Sequence, residues 1–446
     1  MHLPDPQPRW PFIAAIATVT VWYPALTYLL GFRPSDPSPF AMVFNSMAEH
    51  LLAGRFDIDP DAIGAEAFDA GGRAVAYFGI FCALLRLPLV LTSHAAFDAT
   101  WWSCLIAAWL AAWFQIGAVR LVWHTAARNP LAPLMLLSIV LGGAHIPFLR
   151  PSLWQEPISW AFAQAMGFVW LAARGLLTER GFDRRTLSLM ALCAGLALIT
   201  RVSFGIGLYA ALGFLLLARF RPREWLAPGA TLAAFAVLAG IVNMGRWGHP
   251  LVFADFARYG LALDAAPGRL GRLAAWGTFH PARLLLGFGY YFLPVWVWIR
   301  TDGHVLFAEA QATLIDAMEL PPGSFFLTDP LLLALAAAGL AGLRDRSRAA
   351  LLLGLSLPPI LMLCAISMAH RYRMEFLPFL FLAALFSLAR ARDLGRRARI
   401  AACAAVAIGV LASHATAIAA ARSPWGAGEF FLERYGLAGT YARPWQ

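Results

Sequence analysis

The stretch richest in reactive side chains is SPFAMVFNSMAEHLLAGRFDIDPDAIGAEAFDAGGRAVAYFGI, residues 38–80. It gathers Asp57, Asp59, Asp61, Glu66 and Asp69 within thirteen residues, then adds Arg73 and Tyr77. A carboxylate held against apolar surface can take a proton from a hydroxyl nucleophile. Asp57 and Glu66 are candidates for that role, with Arg73 and Tyr77 as substrate contacts. Asp59-Pro60-Asp61 reads as a helix start, so capping accounts for both of its acids. Asp36, in GFRPSDPSPF at residues 31–40, is a further candidate base. The plainer reading makes the whole group a solvated, helix-capping loop.

A second acid, Glu156, lies in RPSLWQEPISW, residues 150–160, between Trp154 and Trp160. An acid there is costly unless used or paired, although a helix N-terminus also favours a carboxylate. His145, just before this turn, reads as a hydrogen-bonded packing residue. Three Arg-bearing motifs follow: ITRVSF with Arg201, HRYRMEFLPFL with His370, Arg371, Tyr372 and Arg373, and NMGRWGHPLVF with Arg246 and His249. A guanidinium fork suits a phosphate oxygen pair. At a helix end it would meet a lipid phosphate, or serve only as a headgroup anchor.

These residues must be positioned by membrane helices. The chain is 60% hydrophobic with a mean hydropathy of +0.65. It offers about a dozen apolar windows near the roughly 20 residues that cross a hydrocarbon core. The fold class is all-α: a polytopic transmembrane bundle of about eleven spans (eleven to thirteen), with amphipathic surface helices in a large first loop. The spans read as 10–31, 100–122, 131–149, 157–176, 186–200, 204–219, 226–244, 330–344, 349–368, 374–390 and 400–421. Phe78–Leu91 and Leu284–Trp298 are short, carry Pro88 and Pro294, and read as partial or re-entrant helices. Phe40–Leu52 reads as a surface helix with Asn45, Glu49 and His50 on its other faces. Residues 1–446 form a single membrane domain, with loop regions at 32–99 and 245–329.

Charge sets the orientation. All 35 basic side chains are Arg, and the net charge is +10. With the N-terminus in the cytoplasm, eighteen Arg and six acids fall inside, and the other nineteen of 25 acids fall outside. That follows the rule for short basic loops and places the C-terminus in the periplasm. The same distribution argues against a nucleic-acid partner. The first helix follows Arg9 without a convincing cleavage site and reads as uncleaved. The five cysteines, at 82, 104, 193, 364 and 403, lack ligand spacing and read as small core residues. No metal motif appears, although the acidic loop could hold a divalent ion.

Taken together, these motifs resemble the GT-C-type membrane glycosyltransferases, the superfamily of protein mannosyltransferases and aminoarabinose transferases. NSMAEHLLAGRFDIDP looks like the surface helix after their first span. The TR of ITRVSF and the RY of HRYRMEFLPFL are similar to motifs at their outer helix ends. The usual acid pair after the first span is absent, so the catalytic acid stays open among Asp36, Asp57, Glu66 and Glu156. The resemblance implies transfer of a sugar from a polyprenyl-phosphate donor to a lipid, glycan or protein acceptor on the periplasmic face of a bacterial inner membrane. Arg201, Arg371 and their neighbours Tyr372, His370 and Arg246 would meet the donor. The competing reading is a transporter or lipid flippase. It needs ionisable residues near mid-membrane, where the sequence shows mainly His145, His414, Gln164 and Gln115. The unequal loops and the lack of a visible repeat also speak for an enzyme.

Overall fold

The computed structural model describes residues 9–36, 40–123, 131–179, 181–259, 269–294, 297, 308–319, 323–391 and 394–421. Arg128, Arg180, Arg392 and the chain after Ala421 lie outside the described residues. Helices occupy every one of the eleven expected places: α1 (Trp10–Leu29), α6 (Thr100–Leu121), α7 (Leu131–Leu141), α8 (Gln155–Leu177), α9 (Arg184–Leu198), α10 (Val202–Arg219), α11 (Leu226–Trp247), α16 (Pro330–Ala341), α17 and α18 (Arg346–Leu355, Leu357–Leu363), α19 (Leu377–Leu388) and α20 (Arg396–Ala421). The first loop supplies α2 (Val43–Leu52), α3 (Pro60–Ile63), α4 (Phe81–Leu84) and α5 (Leu87–Leu91). The segments between α11 and α16 supply α12 (Arg269–Trp276), α13 (Leu284–Phe292), α14 (Ala308–Leu314) and α15 (Phe325–Thr328).

Length and apolarity support seven crossings among the described residues, not eleven. Helix α8 is long but carries Glu156, Gln164 and Arg174; it is the buried hub of the bundle, packed along α6 and α9. Helices α9, α16 and α19 have 15, 12 and 12 residues, short of the roughly 20 that a full crossing needs. Large apolar side chains such as Val21, Leu217, Val237 and Leu411 stay exposed along the qualifying helices. A bilayer would cover them, as water would not. Local chemistry sets the ends. Asp183 and Asp345 cap α9 and α17, accepting from Thr186 N (2.6 Å) and Arg348 N (2.9 Å). Gly248, in the left-handed region at φ 73°, closes α11.

Residues 78–91 form only the two short helices α4 and α5, and the described part of Leu284–Trp298 is the nine-residue α13. Neither described segment reaches the roughly 20 residues that a crossing needs. Helix α2 packs on α4 and α5 through Val43, Phe44, Met47 and Ala48. Asn45 departs from expectation: it is buried rather than turned away. Its amide nitrogen donates to the carbonyls of Ala95 (2.5 Å) and Phe97 (3.0 Å), because a buried amide must find partners. Cys403 also departs, lying exposed on α20, whereas Cys82, Cys104 and Cys364 are buried. His145 packs as expected, its Nε2 at 2.9 Å from the Tyr23 hydroxyl.

Two small β pairings matter. Strand β1 (Phe68–Asp69) turns through Gly71 and Gly72 onto β2 (Ala74–Val75). Strand β3 (Ala317–Met318) runs parallel to β4 (Ser367–Met368), with Met318 opposite Met368. The first loop is docked on the α9–α10 turn: Phe81 N donates to Ile199 O at 3.1 Å. A Cβ on Gly79 would overlap the Ile199 carbonyl, so only glycine permits this approach. Gly79→Ala should therefore destabilise the protein by about 1–3 kcal/mol. Gly213→Ala, in open space on α10, should be neutral or slightly stabilising. Thermal unfolding of the two variants checks this, and equal melting temperatures would contradict it.

Candidate functional site

Arg201 lies in the tight turn after α9 and is the N-cap of α10, its backbone extended at φ −150°. Its Nε donates to Glu375 Oε1 at 2.7 Å, and Glu375 is fully buried. The terminal nitrogens of Arg201 have no hydrogen-bond partner among the described residues and remain partly exposed. The guanidinium stacks over the Tyr372 ring at 4.9 Å, and that of Arg371 lies over the same ring at 5.2 Å. One aromatic ring is thus in contact with two cations.

Arg371 is held in turn. Its Nη1 donates to Glu319 Oε1 at 2.5 Å, and Glu319 Oε2 accepts from the backbone N–H of His370 at 2.8 Å. The β3–β4 register makes this possible. Glu319 N donates to Met368 O (3.0 Å), which sets the acid beside the start of the 3-10 helix His370–Glu375. The Tyr290 hydroxyl donates to the Glu319 carbonyl at 2.8 Å and fixes the strand from behind.

The first loop completes the group. Glu66, in the 3-10 turn Gly64–Glu66, is buried. Tyr77 lies close enough to Tyr372, Arg371, Glu66 and Arg201 for each to act on it electrostatically. Burial pushes the Tyr77 phenol well above its ordinary value, so it stays protonated and can donate at neutral pH. Arg150 also lies within electrostatic range of Glu319 and Arg371. Among the sequence candidates, Glu66, Tyr77, Arg201, Arg371 and Tyr372 are brought together, and His370 joins them through its backbone. The assembly is a surface of oriented guanidiniums beside a carboxylate and a phenol. It can bind an oxyanion and accept a proton close by.

The other candidates are placed elsewhere. Glu156 accepts from Arg86 Nη2 (2.8 Å) and from Ser103 Oγ (2.6 Å) and is fully buried. Arg86 Nε donates to Asn45 Oδ1 (3.2 Å), and Trp160 donates to Ser103. Glu156 is therefore occupied as the anchor that ties the first loop to α6 and α8. Asp57 pairs with His50 Nδ1 at 2.8 Å and Arg55 at 3.4 Å. Burial pushes its carboxyl up, but the His50 hydrogen bond and the charges of His50 and Arg55 outweigh that and hold it below the usual range. Asp59 caps α3, accepting from Asp61 N at 3.1 Å, as expected. Asp36 is exposed in the turn after α1, and Arg73 is exposed beside the Gly71–Gly72 turn. Arg246 is not a loop residue: it is buried in the last turn of α11, and its Nη1 donates to Phe78 O at 2.7 Å. Its place is structural, since it clasps the first loop to α11. Among the described residues, no three His, Cys, Asp or Glu side chains gather as metal ligands would.

Sequence reasoning missed Glu319 and Glu375. Glu375 had a signal: an acid at a span's start, inside the same motif as two arginines, demands a cation. Glu319 had none, because its partner lies 52 residues away and only the parallel strand pairing joins them.

No protein-family model matches this chain, and no curated protein matches it in sequence. Solved structures do match in fold. The Archaeoglobus fulgidus oligosaccharyltransferase tethered to an acceptor peptide with the NVT sequon is 12% identical over 96% of this chain and 57% of its own, with a TM-score of 0.55. Its apo form is 13% identical over 98% and 60%, with a TM-score of 0.52. The archaeal oligosaccharyltransferase AglB from Archaeoglobus fulgidus, in complex with an inhibitory peptide and a dolichol-phosphate, scores 0.50 at 12% identity over 95% and 57%. This chain thus spans less than two thirds of that protein's length. The likeness is one of fold: this chain shares the fold of the archaeal oligosaccharyltransferase over nearly its whole length.

Proposed function

We propose that the chain is a membrane glycosyltransferase that takes a sugar from a polyprenyl-phosphate-linked donor. The observation that carries this reading is the pair Arg201 and Arg371, both over the Tyr372 ring and each aimed by its own carboxylate. Each cation spends part of its fork on that acid and keeps the remainder for an oxyanion. In the reaction, an acceptor oxygen bonds to the anomeric carbon as the sugar–phosphate bond breaks. The leaving polyprenyl phosphate carries the charge that the two preorganised cations stabilise. Glu66 takes the acceptor's proton, and the Tyr77 phenol donates a hydrogen bond within the same space. The fold's likeness to a protein solved with an acceptor peptide and with a dolichol-phosphate supports a lipid-linked donor.

The acceptor is a lipid, glycan or protein that reaches the loop-bearing end of the bundle. By the arginine count, that end is periplasmic in a bacterial inner membrane with the N-terminus inside. The transporter reading is less well supported. The site's charges sit where the first loop docks on the Arg201 turn, rather than along a central path. A transfer assay in membranes, with a panel of polyprenyl-phosphate sugars and with or without chelator, tests the reading and also decides whether a divalent ion takes part.

Two outcomes are expected from variants at matched expression. Arg201→Lys and Arg371→Lys should each lower transfer about 10-fold or more, because an ammonium keeps the charge but loses the fork. Wild-type rates in both would reduce the pair to headgroup anchors. Glu66→Gln should lower the rate by about 10²–10⁴ with the protein still folded. Asp57→Asn should leave turnover close to wild type and act on stability. Full activity in Glu66→Gln would transfer the base role to Asp36.

A further inference from the structure

The candidate site hangs on a six-residue 3-10 helix, His370–Glu375, longer than such runs usually are. In this winding, side chains three apart eclipse. Tyr372 and Glu375 therefore share a side, and both hold Arg201, one by its ring and one by its carboxylate. His370 and Arg373 share another side, and both are buried. An α-helical turn would rotate each such pair apart by about 60° and leave Arg201 with only one of its two partners.

Arg373 explains what holds the winding. Its guanidinium is fully buried, lies over the Phe325 ring at 4.5 Å, donates from Nη2 to Thr328 Oγ, and sits 3.6 Å from Asp329 Oδ2. Thr328 Oγ donates to Asp329 Oδ2 at 2.5 Å. Asp329 Oδ1 accepts from the backbone of Ala144 at 3.2 Å. One node therefore joins the 3-10 helix to the α15–α16 junction and to the turn after α7. As a stability device it is poor. Nε and Nη1 of Arg373 have no hydrogen-bond partner among the described residues. A buried ion pair is often matched or bettered by apolar side chains of similar volume. What apolar side chains would not supply is direction: a guanidinium that must meet one carboxylate and one hydroxyl admits few backbone windings.

We propose that Arg373 and Asp329 are positioning residues that keep His370–Glu375 in 3-10 winding and so set the Tyr372–Glu375 side that holds Arg201. Only the functional consequence rests on the phosphate-binding reading above. The test uses the full chain in lipid nanodiscs, as wild type, as Asp329→Asn, and as the double variant Asp329→Leu/Arg373→Leu, which removes both charges and keeps the fold should the single variant fail. Amide hydrogen exchange is read over residues 370–376 and over α19, and polyprenyl phosphate affinity is measured on the same samples. Exchange over 370–376 should rise on the order of tenfold, as for a local opening, with α19 unchanged. Affinity for polyprenyl phosphate should fall by up to about 100-fold, as for a displaced binding group. A folded double variant with wild-type exchange over 370–376 would overturn the proposal, and so would faster exchange with wild-type affinity. Wild-type protein that binds no polyprenyl phosphate would sink the functional reading, and the exchange result would then decide the positioning role alone.

Discussion

The ion pair between Arg201 and Glu375 governs this structure. A carboxylate with no solvent exposure at the start of a membrane helix is untenable without a cation, and Arg201 is the cation it has. Meeting that demand forces two otherwise unrelated pieces of chain together: the tight turn between α9 and α10, and the 3-10 helix that leads into α19. Once they meet, Tyr372 lies under Arg201, and the Arg371 guanidinium lies over the same ring. The first loop then docks on the same turn through Gly79 and Phe81 and brings Tyr77 and Glu66 within range. The remainder of the loop is held from below by Arg86, Glu156 and Asn45, another buried charge that had to be paired.

The sequence revealed those features that depend on local or periodic physics. Apolar length located all eleven helical segments. The Asp59-Pro60-Asp61 cap and the short, Pro-bearing Phe78–Leu91 stretch were legible because capping and segment length are local. The number of crossings was less legible. Helix α8 contacts protein on nearly every side and so can carry Glu156 and Gln164, which a lipid-facing helix could not; composition alone does not separate a buried hub from a polar surface helix. Asn45 was misread for a related reason: helical spacing puts it off the apolar stripe, but a second polar layer lies there to receive it.

The candidate site was half legible. Arg201, Arg371 and Tyr372 stand out because arginine at a helix end in a membrane protein needs a reason. Choosing among the first-loop acids was beyond sequence, since Asp57 and Glu66 sit nine residues apart in similar surroundings. Folding gives Asp57 to His50 and Arg55 and brings Glu66 within electrostatic range of Arg371. Glu319 needed the β3–β4 register, a contact between segments some fifty residues apart that no local pattern announces. Arg246 shows the converse: a loop-like motif turned out to be the buried clasp between α11 and Phe78.

The central claim is that Arg201 and Arg371, both in contact with the Tyr372 ring, receive a lipid-linked phosphate. A cryo-EM structure of the chain in nanodiscs with polyprenyl phosphate tests it most directly. The expected result is phosphate density within hydrogen-bond reach of both guanidiniums, with the Arg201–Glu375 and Arg371–Glu319 pairs retained. Phosphate density bound elsewhere on the bundle, with both guanidiniums uncontacted, would contradict it.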